Sequence, residues 1–458
     1  MLNSAVCQKA RLSRDPRFDG QFFTAVHTTG IYCRPICPAR PPLESNVSYF
    51  RLAVEAATAG YRPCLRCRPD SAPDSPAWKG VNTTIERAIK LINGGALQEA
   101  SLTSLADRLG ISDRYLRQLF QTHLGVSPKA YALYQQCLFA KQLLHQTRLP
   151  VTQVALASGF NSIRRFNDCF QKQLQLTPSA VRKAHSSDLT ESTLTVQLSL
   201  CYRPPYDWQH MQSFLKHRVI QRLEWCTENN YGRTFMWQGC TGHFTATHIA
   251  SEHKFLVNIE LDDITKLKSI VHNIRRVLDL DVDIASVQQD LQQHFGTIIA
   301  IKQGLRLPGT WSVFEAGIRA ILGQQISVVA ARNLVTTLVA ELGQTTPAGQ
   351  LFPSSKAIAD SDLHFFKMPA SRKQTLRNLA QHYVENASEN DPQQWLALKG
   401  IGAWTVDYAK MRGLSDPDIY LAGDLGVKKA VKDSSQTLQP ELAAPWRSYL
   451  TLQLWSQL

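Results

Sequence analysis

Four cysteines near the amino terminus stand as two close pairs, Cys33-x3-Cys37 and Cys64-x2-Cys67. Two short knuckles of this kind offer four sulfurs to one tetrahedral zinc ion, and a segment of under ~80 residues with few long apolar runs needs such a staple. Pro35, Pro38 and Pro63 break regular structure around them, which favours metal knuckles over buried, unliganded thiols. A zinc-held sulfur stays a thiolate near neutral pH and, set among basic side chains, is a competent nucleophile. At the far end, Leu398-Lys399-Gly400-Ile401-Gly402-Ala403-Trp404-Thr405 precedes Leu421-Ala422-Gly423-Asp424-Leu425-Gly426-Val427-Lys428. Two glycines one residue apart let a hairpin backbone approach a phosphate, with the N–H groups of the next helix aimed at the anion. Asp424 adds a carboxylate some twenty residues past the hairpin, although alone it reads as the N-cap of the helix-like segment from Leu425 to Val431.

These groups need a large scaffold. The chain has 458 residues, which at roughly 100–200 per domain suggests roughly three or four domains. It is 44% hydrophobic and 19% charged, and no apolar run approaches the ~20 residues of a membrane span. Met1-Leu2-Asn3-Ser4 does not open a signal peptide, so the expected location is the cytoplasm, where ten cysteines are a matter of metal or thiolate chemistry rather than disulfides. Lysine and arginine outnumber acids 50 to 37, a net charge of +13 that favours a polyanionic partner. All of the excess lies early: residues 1–185 hold 24 basic and 11 acidic side chains, and residues 186–458 hold 26 of each.

Pro69 to Pro76 reads as a linker of prolines and small polar residues. Beyond it a pattern recurs: Leu105-Ala106-x3-Gly110-Ile111-Ser112 leading to Leu119-Phe120, then Val154-Ala155-x3-Gly159-Phe160-Asn161 leading to Phe166 and Phe170. Each copy has an apolar helix, a glycine turn and a Ser or Asn N-cap before a second amphipathic helix, a helix-turn-helix layout closed by Pro128 or Pro178. Arg114 and Arg117 in the first copy, with Arg164, Arg165 and Asn167 in the second, would enter the major groove, while Leu116, Leu119, Phe120, Phe166 and Phe170 belong to the core. A second polar boundary falls at Ser186 to Glu191, after which residues 194–200 and 255–261 alternate as strands. The expected fold class is multidomain and mainly α with small α+β modules: a zinc-stapled domain over 1–71, a two helix-turn-helix bundle over 82–184, a small α+β domain over 192–300 and a helix-hairpin-helix domain over 301–458.

Family resemblance sharpens these expectations. Arg14-Asp15-Pro16, Thr28 through Arg40, Asn46-Val47-Ser48 and Gly60 through Asp70 resemble the N-terminal domain of Ada regulatory proteins. The resemblance implies that Cys33 accepts a methyl group irreversibly from a DNA methylphosphotriester, that zinc is the cofactor, and that Thr29, Arg40 and Arg62 contact the DNA backbone. Cys7 lies outside the motif. The repeated helical region is similar to AraC-type DNA-binding domains. Pro204-Pro205-Tyr206-Asp207-Trp208, Gly304 through Gly309, Phe314 through Ser327, the hairpin and Asp424 together resemble AlkA-type 3-methyladenine DNA glycosylases of the helix-hairpin-helix superfamily. By that resemblance Asp424 is catalytic, Gly400 and Gly402 grip the backbone, Gln325 fills the gap left by a flipped base, and Trp404, Tyr408 and Trp455 form a base pocket. Electron-rich rings favour cationic alkylpurines such as 3-methyladenine and 7-methylguanine.

Relatives that also cut the DNA backbone carry a Schiff-base lysine where Trp404 stands, so a monofunctional glycosylase is implied. The last cysteine is Cys240, which leaves too few thiolates beyond it for an iron–sulfur cluster. No Pro-Cys-His-Arg nucleophile of an O6-methylguanine transferase occurs. The leading expectation is thus an alkylation sensor and transcription activator joined to a base-excision enzyme, a monomer acting on double-stranded DNA with RNA polymerase as a further partner. Two alternatives stay open: a regulator whose glycosylase half is an interaction module, and a glycosylase whose zinc module only adds DNA affinity. If Arg40 and Arg62 each touch a phosphate, replacing either should lower the slope of log affinity against log salt by about 0.9, measured by titration at several salt concentrations.

Overall fold

The structure is a computed structural model describing all residues except 1–2, 15–17, 19–20, 38, 65–66, 68, 70–82, 183–193, 387–390, 433–437 and 458. The linker expected at Pro69–Pro76 (apart from Pro69), Pro38 and the boundary at 186–191 lie outside the described residues. The chain forms two compact units, residues 1–192 with 263–272 and residues 193–262 with 273–458. No helix among the described residues is long and apolar enough to cross a membrane.

After an opening helix, Ser4–Ser13, the first unit carries a four-stranded sheet in the order β3-β1-β2-β4, where β1 is Phe23–Val26, β2 Ile31–Cys33, β3 Val47–Phe50 and β4 Arg62–Pro63. Pro63 therefore does not interrupt regular structure, as the sequence suggested, but ends an edge strand parallel to β2, a place where a residue without an N–H is tolerated. Phe23, Ala25, Tyr32 and Ala56 make one small core, and Cys7, Ala10 and Phe22 make another, so Cys7 is a packing residue at 1% exposure. Such cores are too small to hold the fold alone, which leaves the metal to supply the rest. The Tyr32 hydroxyl shares a hydrogen bond with that of Tyr134, and Gln175 donates to the Gly60 carbonyl, joining this module to the helical bundle after it.

In the bundle, helices Leu102–Arg108 and Asp113–Leu124 form the first helix-turn-helix, and Val151–Ala157 with Ile163–Leu174 the second, joined by Pro128–Gln146. Leu116, Leu119, Phe120, Phe166 and Phe170 are buried, as their spacing requires. Gly110 and Gly159 take φ of 69° and 86°, the left-handed turn the motif needs. The two turns differ in one respect. Ser112 caps the first recognition helix by accepting from the Tyr115 N–H, but in the second the cap is Ser162, not Asn161, accepting from the Arg165 N–H. The second turn is one residue longer.

The second unit carries an antiparallel sheet ordered β5-β9-β8-β7-β6, with β5 at Leu194–Cys201, β6 at Glu224–Cys226, β7 at Asn230–Trp237, β8 at Cys240–Ile249 and β9 at Lys254–Leu261. Val196, Leu198 and Leu200 of β5 and Phe255, Val257 and Ile259 of β9 point into one core, the period of two that the sequence shows. Helices follow. Val313–Gly323 and Ala403–Gly413 pack around Trp395, while Ile284–Phe295, Leu425–Lys432 and Arg447–Trp455 share a separate core. Ile284, Val287, Leu291 and Phe295 lie in the same core as Leu421, Val427 and Leu450, so that core spans the boundary expected near residue 300.

An ion cluster ties sheet to helices. Arg233 of β7 makes a bidentate pair with Glu315 at 3.0 and 2.9 Å, and Arg319 bridges Glu315 at 2.7 Å to Glu224 of β6 at 2.8 Å. Arg233 and Glu315 are both 1% exposed. Burial opposes the Glu315 charge, but the two guanidinium groups outweigh it and hold the carboxyl below its ordinary range. Stability from this carboxylate is therefore complete above the unfolded glutamate value and is lost as pH falls through the lower native one. Glu315→Ala, which leaves the buried Arg233 and Arg319 sharing the single carboxylate of Glu224, should cost about 3 kcal/mol in denaturant unfolding at neutral pH.

Candidate functional site

In the first unit the sulfurs of Cys33, Cys37, Cys64 and Cys67 lie within 4.8 Å of one another. Tetrahedral Zn–S bonds of about 2.3 Å need sulfurs roughly this close, so the residues fit a tetrathiolate zinc site. The local fold explains the convergence: Cys33 ends β2, and the Cys64 N–H donates to the Tyr32 carbonyl at 2.9 Å, setting the second knuckle beside the first. Four thiols brought to one partly buried point, each able to give one sulfur, are the donor set that a soft divalent cation takes as thiolates. Cys64 and Cys67 are buried at 8%, whereas Cys33 and Cys37 are only partly covered. The Arg34 N–H donates to the Cys67 Sγ at 3.4 Å, adding positive character to the cluster.

Thr29 is exposed in the turn between β1 and β2, and the Arg62 N–H donates to the Gly30 carbonyl at 2.8 Å, so these two expected backbone contacts are neighbours. Arg40 is exposed three residues past Cys37. In the bundle Arg114, Arg117, Arg164, Arg165 and Asn167 all face solvent on recognition helices whose opposite faces are core. Arg117 is held along its helix by Asp113 at 3.0 Å, an exposed pair of small energetic value that orients the guanidinium.

In the second unit Asp424 is both cap and candidate catalyst. Its Oδ1 accepts from the N–H groups of Gly426 at 2.9 Å and Val427 at 3.2 Å, opening helix Leu425–Lys432. The same carboxylate accepts from Trp455 Nε1 at 3.0 Å on Oδ1 and from Trp404 Nε1 at 3.3 Å on Oδ2. Two positions that read as pocket aromatics in the sequence therefore also aim the acid. Tyr408 lies one turn beyond Trp404, with ring centroids 5.3 Å apart.

The surroundings hold groups that the sequence did not flag. Phe214 stacks on Trp455 at 6.3 Å, the Arg218 guanidinium lies 3.7 Å over the Phe214 ring and that of Arg412 lies 4.7 Å from it. Arg412 also donates to the Tyr408 hydroxyl at 3.0 Å. Burial pulls Arg218 down to about 10, still a cation at neutral pH. Phe214 and Arg218 are some 190 residues from the hairpin, with no motif of their own, so only folding connects them to Asp424.

The hairpin glycines differ in what they are for. Gly400 has φ of 92°, and a Cβ there would stand 2.0 Å from Thr375 Oγ1, so both conformation and space demand glycine. Gly402 has ordinary extended φ of −111°, no side-chain cap, and nothing within 4 Å of a Cβ built on it. Its lack of a side chain meets no internal need and leaves the first-turn N–H groups of Ala403–Gly413 open to an outside anion. Gln325 is exposed at φ of 61°, a strained conformation for a non-glycine residue, in the loop between Val313–Gly323 and Val328–Leu342. Ile326, Val328 and Val329 beside it are also exposed, an apolar tip not anticipated from the sequence. Gly402→Ala should leave the thermal midpoint unchanged while weakening duplex binding several-fold in an anisotropy titration, whereas Gly400→Ala should lower the midpoint.

Comparison with known proteins fits this layout. Three family models match: the metal binding domain of Ada over residues 6–70, a helix-turn-helix domain over 105–184 and the AlkA N-terminal domain over 197–312. DNA-3-methyladenine glycosylase 2 of Escherichia coli is 30% identical across 56% of this chain and 96% of its own length. The bifunctional transcriptional activator/DNA repair enzyme Ada of Escherichia coli is 41% identical across 32% of this chain and 40% of its own. The probable bifunctional transcriptional activator/DNA repair enzyme AlkA of Mycobacterium tuberculosis is 34% identical across 99% of this chain and 96% of its own. With metal module, helix-turn-helix bundle and glycosylase scaffold in one polypeptide, the chain belongs to this family of bifunctional transcriptional activator/DNA repair enzymes.

Proposed function

We propose that the chain repairs alkylated DNA by two chemistries and couples one of them to transcription. In the amino-terminal module Zn2+, when bound, holds the four sulfurs as thiolates in fixed geometry. The partly exposed Cys33 sulfur attacks the methyl carbon of a methylphosphotriester; an S–C bond forms, the C–O bond breaks, and its electron pair stays on the phosphate oxygen as a restored diester. Cys33 becomes a thioether and the site loses one negative charge, so attraction to DNA rises after transfer. Thr29, Arg40 and Arg62 hold the backbone during this reaction. The bundle then reads promoter DNA through Arg114, Arg117, Arg164, Arg165 and Asn167, and RNA polymerase is the partner such an activator requires. Cytoplasmic, monomeric action suits these roles.

In the second unit the reaction is hydrolysis of the N-glycosidic bond of an alkylated purine. The base is flipped into the space beside Trp404, Tyr408 and Trp455, with Gln325 at the vacated gap and the Gly400–Gly402 hairpin on the backbone. As the bond breaks its electron pair leaves with the base, and the Asp424 carboxylate stabilises the positive sugar while water adds to its anomeric carbon. Trp404 follows the hairpin where an amine would be needed for strand cleavage, which supports base excision without backbone scission. The methyl transfer belongs to the module over 1–71 and promoter binding to 82–184, while the stretches 192–300 and 301–458 together carry base excision. The observation that carries this reading is the Asp424 carboxylate held between two indole N–H groups and a helix N-terminus.

Asparagine caps a helix about as well as aspartate. Asp424→Asn should therefore keep its unfolding midpoint within a degree or two, yet lose release of 3-methyladenine from methylated duplex by at least 100-fold, measured by chromatography of freed base. Retained release rejects the assignment and favours an interaction module. Incubation of the full zinc-loaded chain with methylphosphotriester DNA should add a single methyl to Cys33 by mass spectrometry, and none to Cys33→Ser. An unmodified wild type would leave the zinc module as a DNA-affinity element only.

A further inference from the structure

Two cysteines outside the metal cluster meet in the core of the helix-turn-helix bundle. Cys137 on helix Pro128–Gln146 and Cys169 on the second recognition helix Ile163–Leu174 are 32 positions apart, and their sulfurs are 3.8 Å from one another. Cys137 is fully buried. Cys169 is 9% exposed and lines an open cleft of about 460 Å³ together with Leu133, Arg165, Asp168 and Lys172. A small neutral oxidant thus has a route to one sulfur, and the other stands behind it as its only sulfur neighbour among the described residues.

Their chemistry is unequal. The hydrogen bond from Cys137 lowers Cys169 below the ordinary thiol value; burial opposes this, while Arg165 and Lys172 add to it. Cys137, deprived of solvent and donating to its neighbour, is pushed well up. One sulfur is the nucleophile and the other keeps its proton. Moreover, Cys169 lies between Phe166 and Phe170 on the buried face of the helix whose outer face carries Arg164, Arg165 and Asn167.

We propose that Cys137 and Cys169 form a dithiol modification site for hydroperoxides, and that their disulfide weakens DNA binding by the second helix-turn-helix. The Cys169 thiolate attacks one peroxide oxygen; an S–O bond forms, the O–O bond breaks, and the departing hydroxide takes a proton from solvent to leave as water. The Cys137 sulfur then attacks Cys169; the S–S bond forms, the S–O bond breaks, and the released hydroxide leaves as water with the Cys137 proton. Two thiols are oxidised by two electrons and one hydrogen peroxide is reduced to two waters. A disulfide needs its sulfurs about 2.05 Å apart, so closure must draw the recognition helix towards its neighbour or turn its side chains. A displacement of that size disturbs paired contacts to bases on the opposite face. The effect on DNA, though not the thiol chemistry, rests on the DNA-binding reading of this helix.

The test uses the full zinc-loaded chain and a duplex selected from a random pool by the reduced protein. After hydrogen peroxide, quenching with iodoacetamide and tryptic mapping, peptides 130–141 and 166–172 should appear joined. Affinity for the selected duplex should fall at least tenfold and return with dithiothreitol. Cys137→Ser and Cys169→Ala should not respond, which separates this site from oxidation of the zinc thiolates. Recovery of the two peptides separately alkylated overturns the proposal, and so does cross-linking with unchanged affinity. Should the reduced protein select no duplex, the DNA-binding reading itself falls, while the peptide map still decides whether the dithiol is oxidised.

Discussion

The Asp424 carboxylate is the point on which the chemistry proposed for the second unit turns. Two backbone N–H groups of the following helix and two indole N–H groups, one from a helix before it in the chain and one from a helix after it, converge on its two oxygens. An acid meant to stabilise a transient positive sugar must be in place before the charge develops, because reorganisation during the reaction costs part of the stabilisation. Here the cap fixes the carboxylate to the helix, and the indoles fix the aromatic walls to the carboxylate. The N-cap reading and the catalytic reading of this residue are therefore compatible: capping is how the side chain is positioned.

That arrangement holds only if the helices around it keep their places. Glu315 and Arg233, each 1% exposed, bind helix Val313–Gly323 to the sheet, and Arg319 extends the link to Glu224. The net value of such a buried cluster is small compared with apolar packing, but removing one member is severe because the remaining charges have no solvent to fall back on. It specifies one packing of sheet on helices. The same helix leads into the Gly323–Gln325 loop, where strain at Gln325 is carried by the rigid elements on either side.

The first unit solves a different problem. In its amino-terminal module the cores hold only a few residues each, and four sulfurs supply the missing constraint through a metal. In the proposed reaction the nucleophile is one of the structural ligands, which ties alkylation directly to the charge of the folded module. The basic excess lies wholly within residues 1–185, the part that carries the metal module and the helix-turn-helix bundle. Residues 186–458 carry no net charge, and in the proposed function the helix N-terminus after Gly402 supplies local positive potential from the backbone instead.

Much of this was legible in the sequence because the determinants are local. Cysteine spacing sets which sulfurs share an ion, alternation sets the β5 and β9 faces, and the repeated glycine turns set two recognition helices with their arginines outward. Local signals also misled where one residue decides, as with Pro63 in an edge strand and Ser162 in place of Asn161 as cap. What could not be read was every relation between distant segments. Phe214 and Arg218 beside Trp455, the indoles on Asp424, the ion cluster and the contact of Cys137 with Cys169 join residues from separate elements of the chain. None has a spacing signature, since packing in three dimensions, rather than periodicity along the backbone, brings them together. The residue types and local geometry that permit each chemistry are set by the sequence; the tertiary structure decided which groups surround the acid, because burial and orientation depend on all the elements at once.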